Sequence, residues 1–460
     1  MKKIVLFTIF LSLLSTSCKS SHKSINSNVS IDTNNTQSYT HTQEEVKNDV
    51  IVFEEYFTGN TLRYDFHHGG NSQEEYYTFD AVKREGLWAG SKNTLINPFD
   101  YGEQHFYIID EKSEKIIYKN NYCTLFNEWQ TTDEAAKVSR SYPEAIIFPE
   151  PKSNFRIEIF ARNKTTKAME RLHSHSIDVA DYNIKPFNPS YEKINIHVGG
   201  PVENCLDIVL LPDGFTNSER EKFIAACYAW SEALFSYAPF DKNKERINIR
   251  AVWAASKKSG ISEPGNGKWI ETLLDTRFFT FGSERYQMVE DFQRVRDIAA
   301  NAPYESIFIL TNSDKYGGGG IYNFYGLGSA GKTGRTGEVY VHEFGHSLMG
   351  LGDEYVEIGN TVSALYPADK EPWEANLTTF VNFSSKWKNM ISKETPIPTP
   401  FDKSMLVQEQ ETLTIGAYEG GGYLEKGIYR PTPQCMMNQL RDFCPVCQKA
   451  ISDYLDYICK

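Results

Sequence analysis

The sequence predicts two domains: an N-terminal all-β sandwich, then a C-terminal α/β (α+β) domain built on a mixed, twisted sheet. Three observations predict it. Residues 48–190 hold many short runs of aromatic and branched residues separated by turn-formers, with no long helical period. After a connection marked by Pro186, Pro189 and Pro201, near-continuous apolar runs alternate with helical patterns. Within that second part lies a helix-spaced histidine pair, His342 and His346, embedded in apolar residues.

Composition bounds the function. Lys and Arg total 48 against 60 Asp and Glu, a net charge of -12 over 460 residues. That balance argues against a nucleic-acid binder, which sets cations against phosphates, and against a polybasic membrane clamp. Residues 1–18 read as a signal peptide: Lys2 and Lys3, an apolar run from Ile4 to Leu14, then Ser15, Thr16 and Ser17 ahead of Cys18. The run is too short to span a membrane. It resembles a bacterial lipoprotein signal, which implies lipidation at Cys18 and export to the outer membrane, cell surface or periplasm. Membrane contact is then expected only through the N-terminal lipid anchor. Residues 19–46, rich in Ser, Asn, Thr and Lys, read as a flexible tether.

The sandwich is placed at 47–190. Its strands are read at Tyr76–Phe79, His105–Ile109, Lys115–Tyr118, Glu144–Phe148 and Phe155–Phe160, with one short helix at Thr131–Ser139. His67, His68, His173 and His175 are read as surface or strand residues rather than ligands. The second domain is placed at 191–460. Cys205–Leu211 is apolar apart from Asp207, as in a central strand buried on both faces. A helix follows, capped by Asn217 or Ser218 and running through Trp230 and Leu234. Ile247–Ala255 reads as a strand, Tyr286–Ala300 as a helix and Ser306–Leu310 as a further strand. Gly317–Gly320 then admits two readings. It is a mobile loop, or it is a sheet edge where Gly319, Gly320, Ile321 and Tyr322 receive an extended peptide.

Cys18 is followed by Cys123, Cys205, Cys227, Cys435, Cys444, Cys447 and Cys459. Cys227 lies in an apolar helical pattern and reads as a buried thiol. Disulfides among the last four are expected ahead of a structural zinc, because no second C-x-x-C completes four ligands.

The chemistry concentrates in His342-Glu343-Phe344-Gly345-His346. Residues about one turn of ~3.6 apart share a helix face, so both imidazoles can hold one ion, with Glu343 beside them. Two neutral imidazoles, a carboxylate and one open position make a catalytic zinc arrangement, so Zn2+ is the expected cofactor. Asp353, after the breaks at Gly350 and Gly352, is the preferred third ligand. Glu354 is its rival, and the acid that does not bind is expected to orient an imidazole. Glu343 is the expected general base and acid, taking a proton from water and delivering it to the leaving amine.

The ordinary metzincin pattern, H-E-x-x-H-x-x-G-x-x-H/D, would put its glycine at Met349 and its third ligand at Gly352. Both features come one residue later here. The longer form, H-E-x-G-H-x-x-x-G-L-x-D-E-Y, matches His342 to Tyr355, and the chain is therefore similar to the bacterial IgA-metallopeptidase family. Asn127-Glu128-Trp129-Gln130-Thr131-Thr132 likewise resembles that family's N-terminal part. The resemblance implies a metzincin-like zincin fold and a zinc endopeptidase with a methionine turn, for which Met437 is preferred over Met436; both also suit an irregular core. Tyr429 becomes a candidate to stabilise the oxyanion, and Arg430 to pair with a ligand acid or a substrate carboxylate.

Protein or peptide substrates are expected, host glycoproteins among them. Two alternatives stand beside an endopeptidase. One is an exopeptidase or amidase on wall or glycoprotein peptides, favoured by a cation such as Arg430 at the rim of a closed pocket. The other is a non-catalytic surface lipoprotein binding glycans or proteins.

Overall fold

The computed structural model describes residues 50–331, 334–357, 366–401 and 414–460. The signal peptide ending at Cys18 and the 19–46 tether lie outside the described residues. After one helical turn, α1 (Phe53–Tyr56), come β1 (Phe57–Gly70), β2 (Glu75–Leu87), β3 (Gln104–Asp110), β4 (Lys115–Tyr122), α2 (Leu125–Trp129), β5 (Arg140–Pro151), β6 (Phe155–Arg162) and β7 (Met169–Ile177). These strands form two antiparallel sheets, ordered β2-β1-β5 and β4-β3-β6-β7. Tyr64, Phe66 and Phe148 of one sheet share an apolar cluster with Ile108, Ile157 and Ile159 of the other.

β1 was not expected, although Leu62, Tyr64 and Phe66 alternate with Arg63 and Asp65; what the alternation conceals is that Arg63, Asp65 and His68 are buried as well. Arg63 pairs with Asp65 at 2.7 Å and Glu85 at 3.2 Å. His68 lies between Glu144 at 3.0 Å and Glu75 at 2.9 Å, fully buried rather than on the surface. Such pairing lets the charged face of the strand be buried along with the apolar one. The short helix lies at α2, not at 131–139, which forms turns. Thr124 and Asn127 fix it by capping one another: the Asn127 N–H donates to Thr124 Oγ1 at 3.4 Å and the Thr124 N–H to Asn127 Oδ1 at 3.1 Å.

The next part comprises β8 (Glu192–Val198), β9 (Leu206–Asp213), α3 (Arg220–Leu234), β10 (Ile247–Trp253), α4 (Phe292–Ala299), β11 (Ser306–Thr311), β12 (Gly318–Ile321), β13 (Tyr325–Ser329) and α5 (Thr336–Met349). Its strands make a mixed sheet ordered β12-β13-β11-β9-β10-β8, parallel except at the two edges. β9 is central and apolar on both sides for a visible reason. Leu206, Ile208 and Leu210 enter the cluster under α3 and α5, while Val209 and Leu211 enter the one under α4. Asp207 interrupts the run because it pairs with Arg250 and accepts from Asn248 Nδ2 at 3.1 Å. Thr216, rather than Asn217 or Ser218, leads into α3, its N–H bonded to Glu219 Oε2 at 2.9 Å. α4 starts later than its periodicity suggests, because Asp291 Oδ1 caps the Arg294 N–H at 3.0 Å.

The α4 face also receives Leu125, Phe126, Trp129 and Tyr142 from the first part, and the described residues belong to one compact unit. A hairpin of β14 (Tyr418–Gly421) and β15 (Leu424–Arg430), the turn α6 (Met436–Gln439) and α7 (Pro445–Ile458) complete the chain. Among the described residues, no helix is long and apolar enough to cross a membrane.

Candidate metal centre and cleft

α5 carries His342 and His346 on one face, and its end aims them. Gly350 closes the helix at φ 59°, a left-handed conformation that glycine adopts without steric penalty. The reversal brings the Leu351 carbonyl to His346 Nδ1 at 2.5 Å. His342 Nδ1 meets the Met436 carbonyl at 3.0 Å. Each Nδ1–H therefore donates to a carbonyl, which leaves a lone pair on each Nε2. The two Nε2 atoms stand 3.1 Å apart, and Asp353 Oδ1 lies 3.2 Å from one and 3.3 Å from the other.

Oδ1 is buried and meets no hydrogen-bond donor. Three acceptors facing one another require a positive charge between them. Ligands ~2.0–2.1 Å from a tetrahedral zinc lie about 3.3 Å apart, so this donor set fits that ion. Burial alone would raise the Asp353 pKa, yet the two imidazoles hold the carboxyl far below its usual range. Burial pulls His346 down, but Asp353 and Glu343 outweigh it and carry the ring to about 9. Burial lifts Glu343 above the ordinary carboxylate range, against the pull of both histidines.

The centre opens into a cleft of ≈ 1510 Å³. One wall is β12, and its glycines permit a close approach. A methyl group on Gly320 would stand 2.3 Å from the Glu343 carbonyl oxygen, and one on Gly318 would stand 2.9 Å from Glu343 Oε1. Gly319, Gly320, Ile321 and Tyr322 all line the cleft. The outer edge of β12 is partly occupied, since Gly318 accepts from the Gln287 N–H at 3.2 Å. The first part of the chain adds to the lining through Thr124, Asn127 and Glu128, next to the point where the Cys123 N–H donates to the Tyr322 carbonyl at 2.9 Å. Glu128 accepts from the Tyr286 hydroxyl, and burial raises its pKa to about 7.

The remaining candidates divide. Glu354 turns away from the histidines and accepts from Asn376 Nδ2 at 2.9 Å and Cys447 Sγ at 3.3 Å. Met436 and Met437 are both fully buried. They act differently: Met436 offers its carbonyl to His342, while Met437 Sδ packs against Gly345, between the two histidines. Tyr429 lies outside the cleft lining, its ring stacked on Phe380 at 4.1 Å between centroids. Arg430 is likewise outside, and its Nη1 donates to the carbonyls of Gly420 at 2.5 Å and Glu419 at 3.2 Å.

Sequence reasoning missed Tyr423, whose hydroxyl donates to Asp353 Oδ2. The Gly422 N–H holds the Asp353 carbonyl at 2.7 Å, and the Tyr423 N–H holds that of Tyr355 at 3.1 Å. The glycine run before Tyr423 was the available signal. The expected disulfides are also corrected. All described cysteines are free; the Cys435 and Cys447 sulfurs stand 3.7 Å apart, against ~2.05 Å for a bond, and Cys459 Sγ turns to the Arg246 carbonyl at 3.5 Å.

Two family models match the chain. The one described as IgA Peptidase M64 matches residues 194–413 and 402–455, and the one described as Peptidase M64 N-terminus matches residues 52–173. No curated protein matches.

Proposed function

The chain belongs to the IgA peptidase M64 family, which makes it a metallopeptidase, and from that premise we propose a zinc-dependent endopeptidase in which His342, His346 and Asp353 hold the ion and Glu343 moves the proton. One observation carries the reading: three acceptor atoms converge within 3.3 Å of one another beside a buried carboxylate in a large cleft. Zinc held there supplies Lewis-acid polarisation of the scissile carbonyl and the attacking water.

The chain's own groups do the rest. Glu343, raised by burial, takes the proton of the attacking water and returns it to the leaving amine nitrogen. Tyr423 orients Asp353, and the carbonyls of Leu351 and Met436 orient the two imidazoles. Met437, packed on Gly345, serves as the methionine turn of a metzincin-like catalytic domain at 191–460. The β-rich domain at 47–190 contributes part of the cleft lining and helps to select substrate. β12 offers main-chain groups to an extended peptide.

The cleft exceeds the ~300–1,000 Å³ of ordinary small-molecule sites, which favours protein substrates cut internally. The exopeptidase or amidase reading drew on Arg430 at the rim, and that guanidinium is committed to backbone carbonyls. The leader and Cys18 support an exported, lipid-anchored enzyme at the outer membrane, cell surface or periplasm, acting on extracellular proteins such as host glycoproteins.

The test is digestion of a mixed protein pool by purified protein, by its Glu343→Gln variant and by a chelated sample, with fragments identified by mass spectrometry. Internal cleavage is expected, abolished by chelation and by the variant while zinc content stays at the wild-type level. An active Glu343→Gln variant would sink the assignment of the base, and removal of terminal residues only would replace the endopeptidase.

A further inference from the structure

Behind the cleft, four buried side chains from three separated stretches of chain point at one spot. Glu354 comes from the segment after α5, Cys435 from the residue before α6, and Cys444 and Cys447 from the start of α7. Their donor atoms all lie within 4.8 Å of one another. We propose that Glu354, Cys435, Cys444 and Cys447 form a second metal site, a structural zinc distinct from the catalytic ion.

The spacing fits a shared ion better than any bond between the sulfurs. Cys435 Sγ and Cys447 Sγ stand 3.7 Å apart. Two thiolates at ~2.3 Å from one tetrahedral zinc are separated by about 3.8 Å, whereas a disulfide closes to ~2.05 Å. Cys447 Sγ lies 3.3 Å from Glu354 Oε1, as a thiolate and a carboxylate on one ion would. The backbone is arranged to support thiolates. The Cys444 N–H points at Cys435 Sγ at 3.4 Å, and the Cys447 N–H at Cys444 Sγ at 3.5 Å. Cys444 is also the N-cap of α7, where the helix dipole favours negative charge.

Glu354 provides the independent observation. It is wholly buried, and its Oε2 meets no hydrogen-bond donor. A buried carboxylate oxygen left without donor or cation is costly, and a bound ion removes that cost. Arg430 acts on Glu354 through its charge but does not bond it, its Nη1 donating to the carbonyls of Gly420 and Glu419.

The position gives this ion a task. Glu354 follows Asp353, and its N–H bonds the Met437 carbonyl at 2.7 Å. Cys435 precedes Met436, whose carbonyl orients His342. Zinc here would tie the segment bearing the third catalytic ligand to the turn beneath the histidines and to α7. Bound thiolates are also shielded from oxidation.

The experiment counts metal on the full chain. Wild type should carry two zinc ions, and His342→Ala/His346→Ala, altered only at the cleft, should keep one. Cobalt substituted into that double variant should show a thiolate-to-cobalt charge-transfer band. Cys444→Ser/Cys447→Ser should lose the band and melt at lower temperature. A double histidine variant that is folded but metal-free would overturn the proposal. So would mass-spectrometric detection of a disulfide joining any two of the three cysteines in the native chain. A zinc-free double variant leaves the catalytic assignment standing, so the two readings fail separately.

Discussion

Gly320→Ala tests how tightly β12 is set against the active-site helix. The added methyl would lie 2.3 Å from the Glu343 carbonyl oxygen and 3.0 Å from His346 Cβ. Nonbonded carbon contacts settle near ~3.5–4.0 Å, so strand and helix must part by roughly 1 Å. The obstacle is backbone, which cannot rotate aside. Overpacking of this kind costs about 1–3 kcal/mol, against a total stability on the order of 5–15 kcal/mol. Misplacement by ~1 Å near the reacting groups costs on the order of 10²-fold in rate. The measurements are kcat on a peptide substrate, bound zinc and the thermal midpoint. The expected result is a midpoint lower by several degrees and a kcat loss on the order of 100-fold. Gly334→Ala is the control, since its methyl meets nothing within 4 Å. Gly318→Ala is the milder case: its methyl lies 2.9 Å from Glu343 Cγ and Oε1 and 3.0 Å from the Leu327 carbonyl oxygen, so the backbone must give less than at Gly320 while the displaced carboxylate lowers the rate. A Gly320→Ala protein with wild-type midpoint and kcat would refute the close approach and the role drawn from it.

Three further outcomes are expected. Asp353→Ala should hold one zinc fewer than wild type and lose activity; equal zinc content would remove Asp353 from the ligand set. Tyr423→Phe should weaken the binding of the catalytic zinc about 10–100-fold, read by competition with a chelator, because the ligand acid loses its orienting donor; unchanged affinity would end that role. His68 should make stability depend on alkaline pH. Burial lowers its pKa, but Glu144 and Glu75 raise it further, to about 9. A folded pKa above the unfolded ~6.5 gives stability that is fully present below ~6.5 and lost as pH rises through about 9, worth about 3 kcal/mol. Urea midpoints of wild type and His68→Gln should therefore converge between pH ~6 and pH ~9.5, and a constant gap would contradict the pairing.

Much of this was legible in the sequence because it is local. The strands at Tyr76–Phe79, His105–Ile109 and Phe155–Phe160 announce themselves by aromatic and branched residues, and His342 and His346 by helical spacing. What escaped depends on partners distant along the chain. In β1 the alternation of Leu62, Tyr64 and Phe66 with Arg63 and Asp65 was there to read, but the burial of its charged face rests on partners such as Glu85 and Glu144. The groups that orient the histidines are main-chain carbonyls of Leu351 and Met436, for which no side chain signals. Glu354 belongs with cysteines far downstream, so that cluster read as disulfides. Tyr429 and Arg430 had the right chemistry and the wrong address, on a strand end that contributes neither side chain to the cleft lining.

The apolar cluster beneath α4 decides what can be separated in the laboratory and what selection can separate. Phe126, Trp129 and Tyr142 cover Phe292, Val209 and Leu211 there. Expressed without the first part, residues 191–460 would present that face to water as a large exposed apolar patch, and self-association is the usual result. The same surface makes the two parts a single heritable unit. A change at Trp129 must be answered across the cluster, so the wall of the cleft cannot be exchanged between relatives as freely as a module on a linker.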